Sequence, residues 1–188
     1  MRDAVTNSLK DLERPELSLG EAVWNSASEL AGSSSRTQAG RIAETALKRT
    51  YATLLQTRGP EIGKKDPVSL LEEMAANVSD DMFVQQFLTD YLFELTLRQI
   101  RTTSVDYRYN GAHEYHFAGG SLLTPENEGL FRKKLEEQCG IIAKQIAKRV
   151  FSSGVIEEAK QGASFSETIV RALQDALGEA IREKRGGG

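Results

Sequence analysis

Covalent stapling is the first thing this chain lacks: Cys139 is its single cysteine, so no internal disulfide forms. Long hydrophobic runs are missing too. The most apolar stretch, 79–101, is interrupted by Asp90, Glu94, Arg98 and Gln99, which excludes a membrane span there. Residues 1–12 hold no apolar segment of the kind a secretory signal needs, so a reducing, cytoplasmic setting is expected. Neither sign of charge dominates. Against 24 Lys and Arg stand 27 Asp and Glu, and a net charge of −3 gives no global field to draw in nucleic acid or anionic membrane. What is present, 39% hydrophobic residues in 188, suits one globular domain with a real core.

The core is written in helical period. Ser79, Asp80 and Asp81 form a helix start, a capping hydroxyl followed by two carboxylates at the positive end of the dipole. Phe83, Phe87, Leu88, Tyr91, Leu92 and Leu95 then share one face, while Met82, Phe93, Leu97 and Ile100 run along another. Two stripes mean neighbours on two sides, so 79–101 is expected to be the central helix. A short helix is expected over 2–14, stopped by Pro15. Ser18 with Glu21 has capping-box spacing and opens a helix to Ala31, with Leu19, Val23, Ala27 and Leu30 inward and Trp24 off that line.

Ser35 with Gln38 repeats the capping-box spacing ahead of Ala39, Ala43, Leu47, Tyr51 and Leu54. Asp66-Pro67 is an N-cap with proline at the first helical position, and Val68, Leu71 and Ala75 follow inward. Thr124-Pro125 uses the same device before Phe131, Leu135, Cys139, Ile142, Ile146 and Val150, the cleanest amphipathic line in the chain. A last helix opens at Ser164 and Glu167, carries Phe165, Ile169, Leu173, Leu177 and Ile181 inward, and ends basic at Arg182, Lys184 and Arg185.

Residues 102–120 break the helical pattern. Two runs flanking Asn110-Gly111 predict a β-hairpin over about 103–118. A two-residue turn pairs Tyr109 with Ala112; a three-residue loop pairs Tyr109 with His113, Tyr107 with Tyr115 and Val105 with Phe117. The second register gathers the aromatics on one face and is favoured for that reason. A lone hairpin is marginal in water, so that face must rest on this domain or on a partner. Tyr107, Tyr109, Tyr115 and Phe117 are therefore the candidate partner-binding residues. The expected architecture is mainly α, a multi-helix bundle over 1–185 around the central helix, with the hairpin inserted and a flexible glycine tail at 186–188.

No catalytic motif is complete. Residues 59–64 lack the glycine–lysine–Ser/Thr ending of a phosphate loop, and no strand precedes them. His113 and His116, with Glu114 and Asp106 nearby, are spaced three apart in an expected strand, so the imidazoles point to opposite faces and a metal site is disfavoured. Cys139 sits on an apolar stripe, where a free cysteine behaves as a small hydrophobe. Lys133, Lys134, Lys144 and Lys148 are mixed with Glu136 and Glu137, which reads as a solvated face more than as a nucleic-acid groove. No cofactor is expected.

Ser18-Leu19-Gly20-Glu21-Ala22-Val23, the break at 32–35 and Ala39-Gly40-Arg41 resemble the B component of the bacterial Qat anti-phage systems. The likeness covers about 25 residues directly. Proteins of that family are encoded beside an ATPase, a QueC-like enzyme resembling those of 7-deazaguanine synthesis, and a nuclease-like protein. The family's Gly/Ser-rich leader is not found here, so no role of that leader carries over, and no catalytic residue does. The resemblance implies a non-enzymatic defence-system subunit with protein partners. Two other readings stand beside it: a substrate whose terminal Gly188 is activated or modified by an adenylating enzyme, and a nucleic-acid-binding accessory subunit.

Overall fold

The computed structural model describes residues 18–31, 37–56, 65–108, 116–117, 120–121, 125–152 and 165–186. They form six helices: α1 (Leu19–Ala31), α2 (Gln38–Gln56), α3 (Pro67–Asn77), α4 (Asp80–Arg108), α5 (Pro125–Ser152) and α6 (Phe165–Gly186). The chain is thus an all-α bundle among the described residues, apart from one two-residue ladder. In that ladder β1 (His116–Phe117) runs antiparallel to β2 (Gly120–Ser121).

The helix starts follow the capping chemistry. Before α1, the Ser18 backbone N–H and hydroxyl donate to Glu21 Oε2 at 2.9 and 2.6 Å, and the Glu21 N–H returns a bond to Ser18 Oγ at 3.3 Å. Those bonds from Ser18 hold the Glu21 carboxyl below its ordinary range. Asp66 caps α3 by accepting from the Ser69 N–H at 3.0 Å, with Pro67 at the first turn. Ser79 Oγ accepts from the Met82 N–H at the start of α4. At the start of α2 the Thr37 hydroxyl oxygen accepts from the Gly40 N–H at 3.0 Å, two residues after the expected cap at Ser35. Ser35 lies outside the described residues.

Helix α2 packs against α1 on one side and α4 on another, and also meets α3 and α6; α4 in turn makes its most extensive contact with α5. The small residues Gly40, Ala43 and Ala46 are buried in α2, which lets neighbouring backbones come close. Tyr51, Phe83, Phe87, Phe93, Leu47, Leu70, Leu71 and Met74 fill the centre, with the Tyr51 and Phe83 rings edge-on at 5.8 Å. Of the two stripes expected on α4, Met82 departs, being 59% exposed, while Val84 is buried in its neighbourhood.

One expectation is not shown among the described residues, and another is corrected. The hairpin expected over about 103–118 is not shown: helix α4 continues through Arg108, and 109–115 and 118–119 lie outside the described residues. Extending an existing helix adds a hydrogen bond per residue with no new nucleation step, and that outweighs the modest β preference of Thr102, Thr103 and Val105. The correction concerns α5, which turns Cys139, Ala143, Ile146 and Ala147 inward and leaves Ile142 42% exposed. Apolar periodicity gave weight to isoleucine over alanine, yet small Ala143 and Ala147 are what a close helix contact accepts. At Gly140 of α5, an added Cβ would stand 3.8 Å from Thr89 Cγ2 of α4, ordinary van der Waals contact at this crossing.

Candidate functional site

Of the residues expected to bind partners, two lie in described elements that touch each other, α4 and β1. Tyr107 and Asp106 lie in the last turns of α4, and Phe117 and His116 lie in β1. Tyr109, Tyr115, His113, Glu114 and Gly188 lie outside the described residues, as do 1–17 and 57–64. Helix α6 carries regular structure as far as Gly186. Among the described residues no group of three His, Cys, Asp or Glu is placed to hold a metal ion, and no helix is long and apolar enough to cross a membrane.

Cys139 is buried, as its place on the stripe implies. Burial pushes its thiol above the ordinary range, and the Glu136 charge pushes the same way against Arg49. A thiol held protonated beside a carboxylate is a poor nucleophile.

The most organised polar arrangement was not singled out by the sequence. It begins with Asp90, which is fully buried in the middle of α4. Its Oδ1 accepts from Arg49 Nε at 2.8 Å, and its Oδ2 accepts from the Thr50 hydroxyl at 2.8 Å and Gln86 Nε2 at 3.0 Å. Burial pushes the Asp90 carboxyl above the ordinary aspartate range, opposed by Gln86, Thr50 and Arg49. The same guanidinium reaches α5 through Nη2, 2.9 Å from Glu136 Oε1, and lies 3.9 Å from Glu94 Oε1. Its flat face covers the Phe93 ring, with Cζ 4.1 Å from the centroid. Desolvation lowers the Arg49 pKa, but Glu136 and Asp90 outweigh it and raise it. Arg49 thus joins α2, α4 and α5 at one point, using the forked geometry that lysine lacks. One signal could have located Asp90: it stands seven residues after Phe83, on the same helical face.

A second cation cluster begins one residue earlier on α2. Lys48 lies over the Trp24 ring of α1 and donates to Glu44 Oε1 at 2.7 Å. Ser28 of α1 donates to the same Glu44 oxygen at 2.8 Å. The bond from Lys48 holds the Glu44 carboxyl below its ordinary range, against partial desolvation. Deeper between the same helices, the Ser26 and Tyr51 hydroxyls are 2.8 Å apart. Trp24 caps this α1–α2 junction and still exposes 58% of its surface.

The two clusters differ in what they can do. Asp90 has its acceptors occupied and no surface to offer, so it joins helices and meets no ligand. Trp24 offers an oriented aromatic face to the outside. No family model, curated protein or solved structure matches this chain.

Proposed function

We propose that the protein is a non-catalytic helical subunit of a cytoplasmic bacterial multi-protein complex, an anti-phage assembly, and that it acts by protein–protein contact. The observation that carries this reading is Trp24, 58% exposed on α1 yet fixed from beneath by Lys48. Lys48 is itself anchored by Glu44, and Glu44 by Ser28. A tryptophan presented in this way gives a partner large apolar area at little conformational cost, the property that enriches tryptophan among the residues dominating interfaces.

Affinity capture from native extract, with partners identified by mass, tests it. Trp24→Ala is expected to lose the partners that wild type recovers, while its unfolding midpoint stays within a few degrees. Undiminished recovery by folded Trp24→Ala overturns Trp24 as the anchor.

A further inference from the structure

The face of α5 opposite its core is neither bare solvated charge nor a plain apolar stripe. Leu130 and Ile141 are 57% and 53% exposed there, and Lys134 and Glu137 between them are exposed as well. At about 100° per residue these four fall within about 60° of arc, and Cys139 lies on the far side. Their spacing of four, three and four residues is the step of a coiled-coil seam.

The order of chemistry along this seam is Leu, Lys, Glu, Ile. Read backwards it is Ile, Glu, Lys, Leu. An antiparallel copy of α5 therefore sets Leu130 against Ile141, Lys134 against Glu137, Glu137 against Lys134 and Ile141 against Leu130. All four positions are complementary. A parallel copy opposes Lys134 to Lys134 and Glu137 to Glu137, which is repulsive.

We infer that the outer face of α5 is a self-association surface, and that its occupant is a second copy of this chain packed antiparallel about a two-fold axis between residues 135 and 136. Such a contact is isologous, so each favourable pair occurs twice. The seam from Leu130 to Ile141 is about 16 Å long, which places the contact among small, weak interfaces and predicts a micromolar-range dimer. The inference is independent of the reading built on Trp24, which lies on α1.

Sedimentation equilibrium on the full chain, up to the hundred-micromolar range, tests it. Wild type is expected to dimerise, and Ile141→Glu to remain monomeric with an unchanged helical spectrum. Lys134→Glu alone and Glu137→Lys alone each oppose like charges twice and should weaken the dimer about tenfold. The double variant Lys134→Glu/Glu137→Lys restores every pair and should recover the wild-type constant. A wild-type chain that stays monomeric overturns the inference. A monomer that Ile141→Glu destabilises means that this chain covers the seam in cis, and overturns it too. A dimer that the double variant fails to restore rules out this register. An unrelated protein captured on the seam counts for the inference only where the purified chain also dimerises alone.

Discussion

Lys48 and Arg49 are neighbours on α2, each cation lies over an aromatic ring, and each is bonded to a carboxylate, yet they face different worlds. One residue turns the side chain by about 100°, so Lys48 looks to α1 and Arg49 to α4 and α5. The partner of Lys48 is Glu44, one turn earlier on the same helix, and their side chains are 21% and 16% exposed. A local pair of this kind is entropically cheap to form and weakly stabilising. Arg49 meets Asp90 across 41 residues of chain, and Asp90 has no solvent to fall back on. The comparison teaches that the value of a charge here is set by its partner's burial. Both cations also rest on a ring, exposed Trp24 under Lys48 and buried Phe93 under Arg49.

The largest test removes the guanidinium. Arg49→Ala leaves Asp90 with Thr50 and Gln86 but no counter-charge, and should cost about 3–5 kcal/mol in urea unfolding. Arg49→Met/Asp90→Leu removes both charges and should regain most of that loss, because the penalty comes from the orphaned carboxylate. If the double variant is as unstable as the single one, Arg49 matters through its reach to Glu136 instead.

Asp90→Asn is a subtler break, expected to cost about 1–2 kcal/mol near neutrality because an amide nitrogen must replace an acceptor oxygen among donors. Its pH dependence sharpens the contrast. The folded-state pKa of Asp90 is raised from its ordinary 3.8, so the folded chain holds this proton more tightly than the unfolded one. That contribution to stability is full below 3.8 and is lost as pH rises through the raised value. The margin of wild type over Asp90→Asn should therefore widen as pH is lowered from 7 toward 4.

How much of this was written in the sequence depends on the range of the interaction. Ser18 with Glu21 and Asp66 with Pro67 act within a few residues, and the caps stand where the spacing put them. The stripe of Ala43, Leu47, Tyr51 and Leu54 was equally legible, since periodicity needs no partner, although Ala39 at its start is exposed. Asp90 was not. Its place on the Phe83 face marks the position, but a carboxylate among Phe87, Leu88, Tyr91 and Leu92 counts as a polar interruption until its meeting with Arg49 is known. Ala143 and Ala147 were hidden for another reason: alanine carries little hydrophobic weight, so the period ran through Ile142 while packing chose the smaller side chains. The end of α4 was misplaced because the β preference of Val105 and Tyr107 was judged alone, without the helix already growing toward them.

The smallest effects belong to the cluster around Lys48, and their sign is opposite. Lys48→Ala removes a partly exposed ion pair and a ring contact, and should cost no more than about 1 kcal/mol. Glu44 is held below its ordinary 4.5, chiefly by the bond from Lys48, so the unfolded chain takes up this proton before the folded one does. Its stabilisation is present above 4.5 and fades as pH falls through the lowered value. The margin of wild type over Glu44→Gln should consequently narrow on acidification, where the margin over Asp90→Asn widens. Urea midpoints for both variants at pH 7 and again near pH 4 would read the two slopes side by side. Slopes of the same sign would mean that burial does not separate the two carboxylates, and that Arg49 dominates Asp90 as Lys48 dominates Glu44.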